Sequence, residues 1–246
     1  MKIKRLQPCK LLLSALLAGI SCGIFMASSL SIELHETGMQ PMDFYWLYFG
    51  MIPEDWITHF DIIRYIFALI PITLVAYIVS DDIQSNLIET KYAVVIRYQS
   101  IRRWIMSGCQ VSIAITACFF LIFHSVFLMM NHIVCHQYTE SAISVFSNSQ
   151  TGSILVLILK HIFFVSTLSM IQIVVALHRN IQTGVLVELC IGGAVVFLDL
   201  LQITSNKLFC ADSNNISLIY NIVIFAIVLV FILLTSSNST SEKYLG

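Results

Sequence analysis

Any chemistry in this chain has to come from a few polar side chains set in long apolar runs. His124 and His161 stand in different runs, and two imidazoles can ligate a haem or a metal. A lone histidine in an apolar helix more commonly serves as a hydrogen-bonded packing residue, so no metal site is expected. Lys160, Glu188 and Asp199 are ionisable residues inside or at the edge of such runs, where an uncompensated charge is costly. Glu188 lies about a turn from one end of its run and Asp199 about a turn from the other, so both are expected to reach water. The Lys160 stem is long enough to carry its ammonium outward. Lys160 and Asp199, nearer the same end, also suit a salt bridge. Cys135 and Cys210 fall in two different outer loops, and the alternatives for them are a disulfide or two separate thiols.

Some chemistries leave recognisable patterns, and these are missing. There is no G-x-x-x-x-G-K-[ST] phosphate loop, no H-E-x-x-H and no C-x-x-C. The chain therefore holds no Walker-type nucleotide site of its own.

The elements that would position these residues follow from composition. Residues are 58% hydrophobic and 11% charged, against about 25% charged in ordinary soluble domains. Apolar blocks cover 11–30, 62–80, 104–130, 154–177, 184–203 and 218–234, each close to the ~20 residues that cross a hydrocarbon core. Only helices and closed barrels satisfy backbone groups in lipid, so the expectation is an all-α integral membrane protein with six transmembrane helices in a single domain, 1–246. The opening MKIKRLQPCK has the basic character of a signal peptide. The run behind it reaches about twenty residues with no small-x-small cleavage site, so it is expected to stay as the first span.

Lys and Arg set the orientation. Ten of the thirteen fall on the side of the two termini and only Lys207 on the other, with Arg64 and Lys160 in or beside spans. Both termini are expected in the cytoplasm. The outer segment 31–61 has no Lys or Arg and six acids.

One inner loop is long, roughly 81–103, and it ends in TKYAVVIRYQSIRRW, residues 90–104. Acids at its start and bases at its end suit a short amphipathic helix complemented along its dipole. Arg102, Arg103 and Trp104 read as an interfacial anchor for the third span. The apolar residues of KYAVVIRY need a cover, either a lipid surface or the groove of a protein partner. Two spans contain helix-weakening residues: Pro71 in the second, expected to kink it, and Gly192-Gly193 in the fifth. Close packing of helices and a pair of bendable helices lining a path both account for them.

Six spans, inner termini, an acidic outer first loop and an inner loop running through Ile96, Arg97, Tyr98, Ser100, Arg102, Arg103 and Trp104 resemble the permease subunits of type-two ABC exporters. Within them the likeness is to the small lantibiotic and bacteriocin immunity or export permeases of Gram-positive bacteria. The resemblance covers the whole chain in topology and is sharp over about 81–110. It implies a coupling loop, here Asp82, Leu87, Ile88, Glu89, Tyr92, Val94, Val95 and Arg97, docked on a soluble ABC ATPase subunit that holds ATP and Mg. No cofactor is then expected on this chain, and no nucleic-acid partner. The resemblance also implies a second permease chain, with spans two and five lining the pathway, which makes Pro71, Glu188, Gly192, Gly193 and Asp199 its candidate lining. Location in the cell membrane, and an amphipathic peptide as substrate, follow from the same likeness. Relatives have Glu then Gly after the second span; this chain has Asp81-Asp82 and no Gly before Trp104. The alternatives are a stand-alone immunity or regulatory protein that binds a peptide at the outer face, and an intramembrane enzyme.

Overall fold

The computed structural model describes residues 8–34, 41–49, 62–84, 101–136, 153–201, 207–210 and 216–238. The described residues form seven α-helices: α1 Pro8–Leu34, α2 Pro41–Tyr48, α3 Ile62–Asp82, α4 Ile101–His136, α5 Ile154–His178, α6 Ile181–Leu200 and α7 Ile216–Asn238, with a π turn at Ile83 and Gln84 after α3. All except α2 are long and apolar enough to cross a membrane, the architecture of a multi-pass membrane protein. They coincide with the six apolar blocks of the sequence.

Helix α5 is the centre of the bundle, packing against α3, α4, α6 and α7. Its spanning stretch is 56% buried against 17% for α7, whose exposed Ile219, Ile227, Phe231 and Leu234 leave it at the periphery. In a membrane such a face meets lipid tails at no cost. Between α5 and α6 only Arg179 and Asn180 intervene. The Asn180 side chain accepts from Thr183 N at 2.7 Å, capping the first turn of α6. The two helices run back antiparallel, and Gly184 lets them approach: a Cβ there would stand 2.8 Å from Gln172 O.

Helices α1 and α4 run parallel along GISCG, residues 19–23. A Cβ at Gly19 would meet Val126 Cβ at 2.8 Å, and one at Gly23 would meet Met130 Cβ at 2.6 Å. This is the G-x-x-x-G device that brings membrane helices into backbone contact. The same five residues fit the G-x-S-x-G of hydrolases. That pattern needs a strand-to-helix turn, whereas here it runs through the middle of a helix, with Ser21 exposed.

Segment 31–61, read from the sequence as an outer loop, contains a further helix. Its aromatic run forms α2, too short to span at 8 residues, and Tyr45, Trp46, Leu47, Tyr48 and Phe49 are all buried in the bundle. Phe49 packs edge-on or tilted against Phe123 and Phe127 of α4. Six acids in the segment mask this run from an averaged hydropathy, although 44–49 contains none. Pro71 lies inside α3, which continues past it to Asp82. At the far end of that helix Lys10 Nζ meets Asp81 Oδ2 at 2.9 Å.

Candidate functional site

The bundle encloses two polar centres. The first joins five elements near the end where α2 enters. Tyr45 Oη lies 2.8 Å from His124 Nδ1, His124 Nε2 lies 2.8 Å from His161 Nδ1, and His161 Nε2 lies 2.9 Å from Phe209 O. A carbonyl only accepts, so His161 Nε2 carries a proton. With both imidazoles neutral, His161 Nδ1 accepts from His124 Nε2–H, and His124 Nδ1 accepts from the Tyr45 hydroxyl. All three hydrogens point from α2 toward residue 209. The relay ends on a backbone carbonyl, which accepts but has no proton to pass on.

Residues 208–210 are gripped from three further directions. Asp199 Oδ2 accepts from Phe209 N at 2.6 Å and from Cys210 N at 3.0 Å. Lys160 Nζ donates to Cys210 O at 2.8 Å, and Asn221 Nδ2 of α7 donates to Leu208 O at 2.8 Å. Rings of Phe49, Phe120 and Phe209 surround the two imidazoles at 4.4–6.0 Å. Burial without water strengthens each of these bonds and makes loss of any one costly. Burial also pushes the Tyr45 and Tyr48 hydroxyls well above the usual phenol range, which keeps them as donors.

Two expectations are corrected here. Lys160 is 1% exposed and does not carry its charge outward, because the inward-folded 208–210 supplies an acceptor. Asp199 faces the same backbone and does not reach water. Lys160 and Asp199 thus act on one turn of chain, and their charges interact across it.

The second centre lies between α5 and α6, nearer the Asn180 turn. Glu188, expected about a turn from the helix end, lies about two turns in, because α6 begins at Ile181. It is fully buried and accepts from Ser169 Oγ at 3.2 Å. On α5, Gln172 Nε2 donates to Ala76 O of α3 at 3.1 Å.

The remaining pathway candidates are at the α3–α6 contact. Gly192 faces Leu168 and Ile72, and Gly193 faces Tyr65; Tyr65 Oη donates to Gly193 O at 3.2 Å. Pro71 is buried beside Ile72. Of the coupling-loop residues, Asp82 ends α3, partly buried. Leu87, Ile88, Glu89, Tyr92, Val94, Val95 and Arg97 lie outside the described residues. Arg102, Arg103 and Trp104 begin α4, and their side chains, like that of Cys135, lie outside them too. Cys210 is buried.

Sequence reading missed Tyr45, Tyr48, Ser169, Gln172 and Phe209. His124 and His161 were visible as histidines in apolar helices, but nothing in the sequence announced that they meet. No protein-family model, curated protein or solved structure matches the chain.

Proposed function

We propose that this chain is the permease subunit of an ABC exporter, with both termini in the cytoplasm of a Gram-positive cell, moving an amphipathic or antimicrobial peptide. A separate soluble ATPase, holding ATP and Mg, powers it. The observation that carries this reading is the packing of α3 along α6. Helix α3 ends at Asp82, where the chain enters the inner loop whose apolar and basic residues suit docking on an ATPase. Tyr65 bonds Gly193, and two turns on Ile72 sits against Gly192, its Cγ2 3.3 Å from where a Cβ would be. A displacement delivered at the end of α3 therefore reaches α6 through rigid contacts. The outward faces of the pair, with exposed Ile66 and Tyr77 on α3 and Ile191 and Phe197 on α6, offer a surface to a second permease chain. Closure of the ATPase pair would rock these helices between two access states.

The test is co-purification with the candidate ATPase in mild detergent. The expected result is an equimolar complex that Val94→Asp with Val95→Asp dissociates while membrane insertion is kept. A chain that elutes alone, or a double variant with full partner, would replace this reading with a stand-alone peptide-binding protein.

A further inference from the structure

Glu188 is enclosed by the protein's own helices. Its Oε1 accepts from Ser169 Oγ, and its Oε2 has no hydrogen-bond partner among the described residues. Ser169, Gln172 and Ser166 lie on one face of α5, a turn apart on either side. Gln172 uses its amide nitrogen on Ala76 O, which leaves its Oε1, likewise without a partner, as an acceptor only. Ser166 Oγ is 1% exposed and also has none. Along this part of α5 and α6 a carboxyl oxygen, an amide oxygen and a hydroxyl are buried without a hydrogen-bond partner among the described residues, and only the Ser169 hydroxyl is seen to donate to the carboxyl.

Among the described residues no cation is paired with Glu188; Arg179, at the turn between α5 and α6, is exposed and about 14 Å along the α6 axis at 1.5 Å per residue. On α5, Lys160 lies about 13 Å along the axis at 1.5 Å per residue, and it holds Cys210 O. His161 belongs to the first polar centre, and His178 Nδ1 is bonded to Val174 O. On α3, Tyr65 serves Gly193, Asp81 pairs with Lys10, Tyr77 lies under Lys10, and Asp82 is at the helix end. On α6 itself, Cys190 is exposed and Asp199 is held at 208–210. A bare carboxylate in such a place costs several kcal/mol. A water molecule would satisfy the open acceptors but not the charge.

We propose that Glu188, Gln172, Ser166 and Ser169 form a binding site for a small monovalent cation, H⁺ or Na⁺, between α5 and α6. One carboxylate matches one positive charge; a divalent ion would leave net charge inside the membrane. The approach that Gly184 allows, with its Cβ position 2.8 Å from Gln172 O, keeps the space small. Na⁺ would take the carboxyl, amide and hydroxyl oxygens as ligands. A proton would neutralise Glu188 and turn its Oε2 into a donor toward the open acceptors, Gln172 Oε1 among them. Intramembrane carboxyls with this kind of setting are found in ion and proton pathways. The site does not depend on the permease assignment.

The test is labelling of the intact protein in liposomes by dicyclohexylcarbodiimide, which attacks protonated carboxyls in apolar settings, read by mass spectrometry at Glu188. The expected result is labelling at acid pH that falls about tenfold per pH unit above its midpoint. For a Na⁺ site, NaCl but not choline chloride lowers that midpoint; for a proton site, the two salts give the same curve. Glu188→Gln abolishes the label. Should that variant not fold, Gln172→Leu reads the same site, moving the midpoint or weakening Na⁺ protection about tenfold. Absence of label at acid pH, or label indifferent to both pH and Na⁺, overturns the site, as does an unchanged curve in Gln172→Leu.

Discussion

The Tyr48 hydroxyl donates to Phe67 O at 2.8 Å, and Phe67 is the residue four before Pro71. A proline has no N–H to give that carbonyl, so α2 supplies from outside the helix the hydrogen bond that α3 cannot make for itself. In lipid an orphaned carbonyl is expensive, and this contact explains how α3 runs through its proline.

Tyr48→Phe should therefore lower stability by about 1–3 kcal/mol, the cost of leaving a buried acceptor unpaired. Pro71→Ala restores an N–H for Phe67 O, so in that background Tyr48→Phe should cost much less. Unfolding of all four proteins in detergent micelles, treated as a double-mutant cycle, measures the coupling. Additive effects would show that the hydroxyl acts only on Cys22 Sγ, which lies 3.2 Å away.

The direction of the Tyr45–His124–His161–Phe209 chain is itself measurable. Both imidazoles should be neutral tautomers with the proton on Nε2, and ¹⁵N NMR of histidine-labelled protein distinguishes this from the Nδ1 form. Tyr45→Phe removes the first donor while keeping the ring, and should cost about 1–3 kcal/mol. An Nδ1–H signal from either residue would reverse the assignment.

Lys160→Met removes both a cation that interacts with the buried Asp199 and the donor to Cys210 O, and should destabilise by about 3–5 kcal/mol. Combining it with Asp199→Asn should cost less than the sum of the two single changes. Thermal unfolding in detergent, followed by circular dichroism, reads the difference. Independent effects would mean that each residue acts only on the backbone of 208–210.

Gly23→Val places a side chain where Met130 Cβ already stands, 2.6 Å from the new Cβ. Because a Cβ cannot swing away, the helices must part, and a loss of about 1–3 kcal/mol is expected. Ser21→Val, on the exposed side of the same turn, is the control and should change stability little. Equal losses in the two variants would place the α1–α4 contact elsewhere.

The six long helices were legible because each carries a continuous apolar stretch, and the period of the signal is its length. GISCG went unread, although small residues four apart mark one helix face. Helix α2 was not legible, because its aromatic run is brief and lies among Glu33, Glu36, Asp43, Glu54, Asp55 and Asp61. The histidine chain was hidden for a different reason. Tyr45, His124, His161 and Phe209 are joined only by tertiary packing, and the final acceptor is a backbone carbonyl that no residue type betrays. Lys160 and Asp199 could be associated by depth alone, but their shared partner at 208–210 could not. Glu188 and its polar face on α5 required the register of α5 on α6, which Gly184 sets.

The seat of α2 also bears on how the protein is made. Tyr45 meets His124 on α4, and Phe49 lies 4.9 Å from the His161 ring on α5, yet α2 leaves the ribosome before either helix. Its Tyr48 contacts with Cys22 of α1 and Phe67 of α3 are available as soon as those two helices exist, whereas Tyr45 and Phe49 find their partners only once α4 and α5 are in place. One short helix thus has two sets of contacts that are completed at different stages of synthesis.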